Sequence, residues 1–348
     1  MRFTAIILFL VLLSCVLLSC GPRQPKQEQA AKPTGKSTAT QAAPGHPAGS
    51  FTRLTVHHVS FAESSGLNLK IGWLDARMYP THAGVNPSFD EPSSFDLNIE
   101  DGMIGVDLSS LSNLLGSDVL KGSHLTDVKL SSKGQQVKLN AILHKVVPVP
   151  IEMLGDVAAS PDGRIQIHVA KLDVLGVSVK GLLTAFHVEA ADLVKTGEAK
   201  GVQVSGNDVY LNPNDLLPPP HNIGKIKAVH IAKSGDLVME YGDAREDLRE
   251  LRKWRNFMRL RGGTINIGKL TMHDADVFLI DTSADKWFDF DLAHYQEQLV
   301  NGYTEITATE GLEIFMPDIS RIPKTQANRD ISLQWIRNRN LPPPENLQ

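Results

Sequence analysis

From residue 52 onward, apolar and polar positions alternate. Leu54, Val56 and His58, then Leu67, Leu69, Ile71 and Trp73, recur at every second position, the period of a half-buried strand. A turn-rich loop over 80–92 interrupts the pattern, and Phe95, Leu97 and Ile99 restore it. Further alternating runs cover 125–130, 137–144, 149–158 and 164–174, separated by turn residues at 132–134 and 160–163. Two more, at 202–204 and 209–211, flank Ser205-Gly206-Asn207-Asp208 as a hairpin. Strands are also predicted over 225–231, 237–239, 265–280 and 312–315.

Four stretches switch to helical spacing. Leu108, Leu111, Leu114 and Leu115 form one stripe, with Asp107 or Ser109 as N-cap. Val179, Leu182, Leu183 and Phe186 form a second over 177–186. Residues 243–261 are the most charged part of the chain and carry Leu248, Leu251, Trp254, Phe257 and Met258 near one face, before Gly262 and Gly263 end the run. A short helix is predicted near 292–300. Pro218, Pro219 and Pro220 lack amide donors and break regular structure. With many strands, few helices and no regular strand–helix alternation, the expected fold class is α+β: a mostly antiparallel, strongly curved sheet packed on a few amphipathic helices.

The N-terminus follows a different rule. Arg2 precedes an apolar run over 5–19, of signal-peptide rather than membrane-spanning length, which ends at Leu17-Leu18-Ser19-Cys20. This segment resembles a bacterial lipoprotein signal, in which the Cys20 thiolate accepts diacylglycerol and cleavage leaves Cys20 first. Leu13-Ser14-Cys15 is a partial second match inside the apolar run. A single N-terminal membrane anchor, or a secretory signal with an incidental cysteine, is the alternative. Gly21 stands where inner-membrane lipoproteins of enteric bacteria carry aspartate, which points to the outer membrane. Residues 21–50 hold almost no large apolar side chain and read as a flexible tether, with a reach of roughly 30 Å. The expected organisation is therefore a signal peptide over 1–19, lipidated Cys20 and tether to 50, and a curved-sheet domain over 51–240. A charged helix with closing strands over 241–320 belongs to the same fold or forms a small subdomain, and a polar tail covers 321–348.

The chain has 348 residues, 42% hydrophobic, with a net charge of −4, which suits a folded core and gives no electrostatic footprint for nucleic acid. Its two cysteines are Cys15 and Cys20, so a chain cleaved at Cys20 has no thiol left for a disulfide, a zinc site or a nucleophile.

Residues 102–115, the 125–130 strand, 149–157, Asp162-Gly163-Arg164 with the following strand, and Leu172 to Gly176 resemble the LmeA-like phospholipid-binding proteins near the tubular lipid-binding (TULIP) superfamily, over about residues 95–190. The block 262–276 is similar to an uncharacterised bacterial lipoprotein group. The first resemblance implies a curved sheet wrapped around a helix, with acyl chains of a phospholipid-like ligand in the groove between them.

Twelve histidines invite a search for metal ligands. His57 and His58 are adjacent on a strand and should point to opposite faces. His273, Asp274 and Asp276 are the most metal-like string, with Asp274 and Asp276 on one strand face and His273 on the other; a solvated face is the simpler reading, and no metal or other cofactor is expected. Asp291 reads as an N-cap rather than a catalytic acid. No nucleophile elbow, metalloprotease helix, phosphate loop or dinucleotide fingerprint is present, so an enzyme is not expected. The function that follows is a periplasm-facing lipoprotein, held to the membrane by its acyl anchor, that binds or transfers lipid in an apolar groove lined by Leu111, Leu115, Leu182 and Phe186. The alternative is a structural or assembly lipoprotein with a filled core and a protein partner.

Overall fold

The computed structural model describes residues 51–62, 66–120, 124–144, 148–174, 200–243, 253–309 and 311–322, all within the compact unit Ala42–Gln348. Strands β1 (Thr52–Ala62), β2 (Asn68–Pro80) and β3 (Phe95–Val106) form an antiparallel meander. Helix α1 (Leu108–Leu114) follows, continued by a π turn over Leu115–Val119. A second sheet then forms from β4 (Leu125–Lys133), β5 (Gln136–His144), β6 (Pro148–Ala159), β7 (Ile165–Val174), β8 (Val202–Ser205) and β9 (Asp208–Leu211), in the order β4-β5-β6-β7-β9-β8.

The chain next passes through α2 (Pro213–Leu216) and β10 (His221–Ile223) and returns to the first sheet. There β11 (Ile226–Ile231) and β12 (Leu237–Tyr241) extend it beyond β3. On the other side β13 (Phe257–Arg261) pairs with β1. A small hairpin, β14 (Thr264–Ile267) and β15 (Leu270–His273), leads to β16 (Asp276–Asp281), β17 (Phe288–Asp291), α3 (Tyr295–Val300), β18 (Tyr303–Ile306) and β19 (Leu312–Met316). The large sheet has the order β11-β12-β3-β2-β1-β13-β16-β19-β18, with β10 added at β3 and β17 at β1.

The expected α+β class does not hold. The protein is mostly β, with three α-helices of 7, 4 and 6 residues among the described residues. The reason is clearest at 257–261, where a helix was expected. Met258 and Leu260 are buried and alternate with the more exposed Arg259 and Arg261. That period of two is what a central strand between β1 and β16 requires, so long-range pairing overrides the helical spacing of Phe257 and Met258 from Trp254. Residues 265–280, expected as one strand, are three, because Gly268 (φ 57°) and Asp274 (φ 48°) take left-handed conformations that turn the chain. The predicted helix at 177–186 lies outside the described residues.

One core cluster runs through both sheets. It joins Leu54, Val56 and Met258 of the large sheet to Leu111 and Leu115 of the helical segment and to Val137, Met153 and Val169 of the second sheet. All of its members among the described residues belong to the unit Ala42–Gln348.

Candidate functional site

Between α1 and the six-stranded sheet lies a cavity of about 80 Å³. Its floor comes from sheet alternation: Leu125 and Leu130 on β4, Val137 and Leu139 on β5, Met153 on β6, Ile167 and Val169 on β7, and Val202, Val209 and Leu211 from the last two strands. The other wall is Leu108, Leu111, Leu115 and Leu120, with Leu237 reaching in from β12. Every lining residue is apolar or glycine. Gly155 is required in the floor, since a Cβ there would sit 2.5 Å from Cγ2 of Ile167.

The sequence puts this wall in place by simple means. Asp107 caps α1, accepting a hydrogen bond from the Ser110 amide at 2.8 Å. The Ser109 hydroxyl and the Ser110 amide favour its ionised form and hold its pKa below the ordinary carboxylate value. The Ser112 hydroxyl donates to the Leu108 carbonyl at 2.7 Å and accepts from the Leu130 amide at 2.7 Å, tying the helix to β4. The π turn keeps Leu114 and Leu115 both buried, at 7% and 5% exposure.

Of the predicted site residues, Leu111 and Leu115 line this cavity together. Leu182, Phe186 and Cys20 lie outside the described residues. Leu237 and the inward residues of β6, β7 and β9 were not singled out from sequence. Their signal was the phase of each strand's alternation, which identifies an inward face but not which face meets α1.

The metal-like residues do not assemble. Among the described residues no group of three or more histidine, cysteine or acidic side chains is placed to hold a metal ion. His273 ends β15 and lies 3.2 Å from the Thr264 hydroxyl through Nδ1, Asp274 sits in a turn, and Asp276 accepts two hydrogen bonds from Arg259 at 3.0 and 3.2 Å. The strand geometry expected of them is absent because the turn at Asp274 separates β15 from β16. His57 and His58 also depart from expectation. His58 takes φ 48°, which breaks the alternation, and the two rings lie 4.2 Å apart. At this residue β1 changes partner, from β13 through His57 to β17 from Val59. Desolvation, then the neighbouring His57, Lys286 and Arg255, lower the His58 pKa to about 4. Asp291 caps a turn by accepting from the Ala293 and His294 amides, whereas α3 has His294 at its N-cap position with no side-chain capping bond.

A second buried group is polar. Asp281, fully buried, accepts from the Asn256 side-chain amide at 2.9 Å and from the Ser283 amide and hydroxyl at 2.7 and 2.9 Å. Asp318 accepts from the Asp289 amide at 2.8 Å. Burial raises Asp281 to about 6 despite these donors, and it raises Asp318 as well. Here directional bonds tie the end of β16 to Asn256 and tie β17 to the segment after β19, beside the apolar contacts of Leu279, Phe288 and Met316.

Among the described residues, no helix is long and apolar enough to cross a membrane. Set against known protein families, curated proteins and solved structures, the chain matches none.

Proposed function

We propose that this protein is a lipoprotein, anchored through an acylated Cys20 on the periplasmic side of the cell envelope, with the outer membrane as the favoured site. Its folded unit shelters an acyl chain in the cavity between α1 and the six-stranded sheet. The observation that carries the reading is the cavity wall, which offers no hydrogen-bonding or charged side chain. Such a space is indifferent to specific chemistry and suited to hydrocarbon, each buried methylene contributing about 0.8 kcal/mol. The Ser19-Cys20 junction and the polar stretch that follows it support the anchor.

The test is the unit Ala42–Gln348 produced without detergent and analysed by native mass spectrometry and solvent extraction. Co-purified lipid, or uptake from phospholipid vesicles, is the expected result; a folded unit that carries none and takes up none overturns the lipid reading. Metabolic palmitate labelling tests the anchor separately, because Cys20→Ser should abolish it. One observation favours the structural alternative: Leu111 and Leu115, at 4% and 5% exposure, also belong to the continuous core cluster. A filled core would leave the protein a scaffold for a partner.

A further inference from the structure

A second apolar chamber, of about 70 Å³, lies against the large sheet under the Leu217–Pro220 run. Asn222 is its one polar lining residue. The strand register sets lining residues of the two chambers on either side of one position in β3. At the end of β3 the buried side chains are Ile104 and Val106, after which the chain enters α1 at Leu108. Ile104 lines the second chamber and Leu108 the first, while Val106 lines neither.

The same order holds across the sheet. Val106 is paired with Leu69 of β2 on one side and with Leu237 of β12 on the other. Leu69 lines the second chamber and Leu237 the first. Directly paired residues on neighbouring strands face the same way, so these three side chains stand in one row, its ends about 10 Å apart. In both directions one buried valine stands between a residue of each chamber.

We propose that the two chambers are a single site with Val106 as its septum, and that the ligand is one extended acyl chain lying over Val106 with a part in each chamber. The proposal rests on the acyl-chain reading above and adds the length class of the chain. Neither chamber is lined by a charged side chain, so the hydrocarbon supplies the affinity. Each methylene buried is worth about fourfold in affinity. A chain that continues past Val106 gains that factor repeatedly, whereas one confined to a single small chamber stops gaining at the wall. A free fatty acid and one chain of a phospholipid offer the same chemistry.

The experiment presents the unit Ala42–Gln348 with octanoate, dodecanoate and hexadecanoate in equal amounts, and separately with phosphatidylethanolamine vesicles, and reads bound species by native mass spectrometry. The wild type should prefer hexadecanoate to octanoate. Val106→Phe should cut that preference at least tenfold by thickening the septum, and Val106→Ala should raise it while leaving octanoate unchanged. Thermal melting checks that each variant folds; if Val106→Phe does not, Val106→Ala decides. Uptake of intact phospholipid rather than free acid identifies the source of the chain. Binding whose length preference is the same in wild type and folded variants overturns the septum and leaves the acyl-chain reading standing. Absence of any bound acid or phospholipid in the wild type overturns both.

Discussion

Beside α1 the core faces a space walled by leucine, isoleucine and valine, whereas at the junction of β16, β17 and the segment after β19 it closes on two buried carboxylates, an asparagine and a serine. The two regions bury their groups for different reasons. The apolar wall is held by area removed from water, which is non-directional and tolerates a change of shape at modest loss. The polar knot needs each donor in place, because an unpaired buried carboxylate has no substitute for water. A cavity can therefore open in the first region and not in the second.

The comparison can be broken most severely at Leu115. Leu115→Asp places an unpaired carboxylate in the apolar wall and should destabilise the unit by roughly 4–5 kcal/mol or unfold it. Urea denaturation measures this, and a loss below about 1 kcal/mol would show that water already reaches the wall. At the polar knot the leading effect is one of pH. The folded Asp281 carboxyl holds its proton up to about 6, against 3.8 as the ordinary value. Its contribution to stability is thus fully present below the ordinary value and is lost as pH rises through about 6. Between pH 4 and 7 the loss should be about 2 kcal/mol, and Asp281→Asn should flatten the profile. A wild-type profile that is flat across this range contradicts the assignment.

Asn256→Ala removes donors to both the Asp281 carboxylate and the Asp285 carbonyl. It should lose about 2–3 kcal/mol at neutral pH and less at pH 4, where Asp281 is protonated. The same loss at both values would separate Asn256 from Asp281. The smallest effect returns to the apolar region. Asp107→Ala should lose about 1 kcal/mol by uncapping α1. Because the Asp107 pKa is lowered, its contribution has the opposite sign to that of Asp281: present above the ordinary carboxylate value and lost as pH falls through the folded one. Relative to wild type, Asp281→Asn and Asp107→Ala should therefore shift with pH in opposite directions, Asp281→Asn gaining and Asp107→Ala losing stability as pH rises from low to neutral.

Reading the chain by period worked best where partners are close in sequence. The runs that became β4 to β7 are joined by short turns, and each strand pairs with its chain neighbour. The stripe at α1 was legible for the same reason, since capping and i, i+3 spacing are local. At Phe257–Arg261 the reading failed because the strand's partners lie about 200 residues earlier in β1 and again in β16. The His57–His58 geometry was equally hidden, since the change of partner from β13 to β17 depends on two distant segments meeting β1 at different points.

By itself, the sequence determined the character of the wall: the leucines of α1 and the alternation of the strands. These follow from composition and local spacing, which obey steric and hydrogen-bonding rules over a few residues. Tertiary structure alone decided that Leu237 lines the same cavity as Leu111 and Leu115, that Val106 is paired between a residue of each chamber, and that Asp281 and Asp318 are buried in one region. Such placements depend on which strand faces come together, a long-range packing outcome that an alternating pattern permits in many combinations and local chemistry does not select.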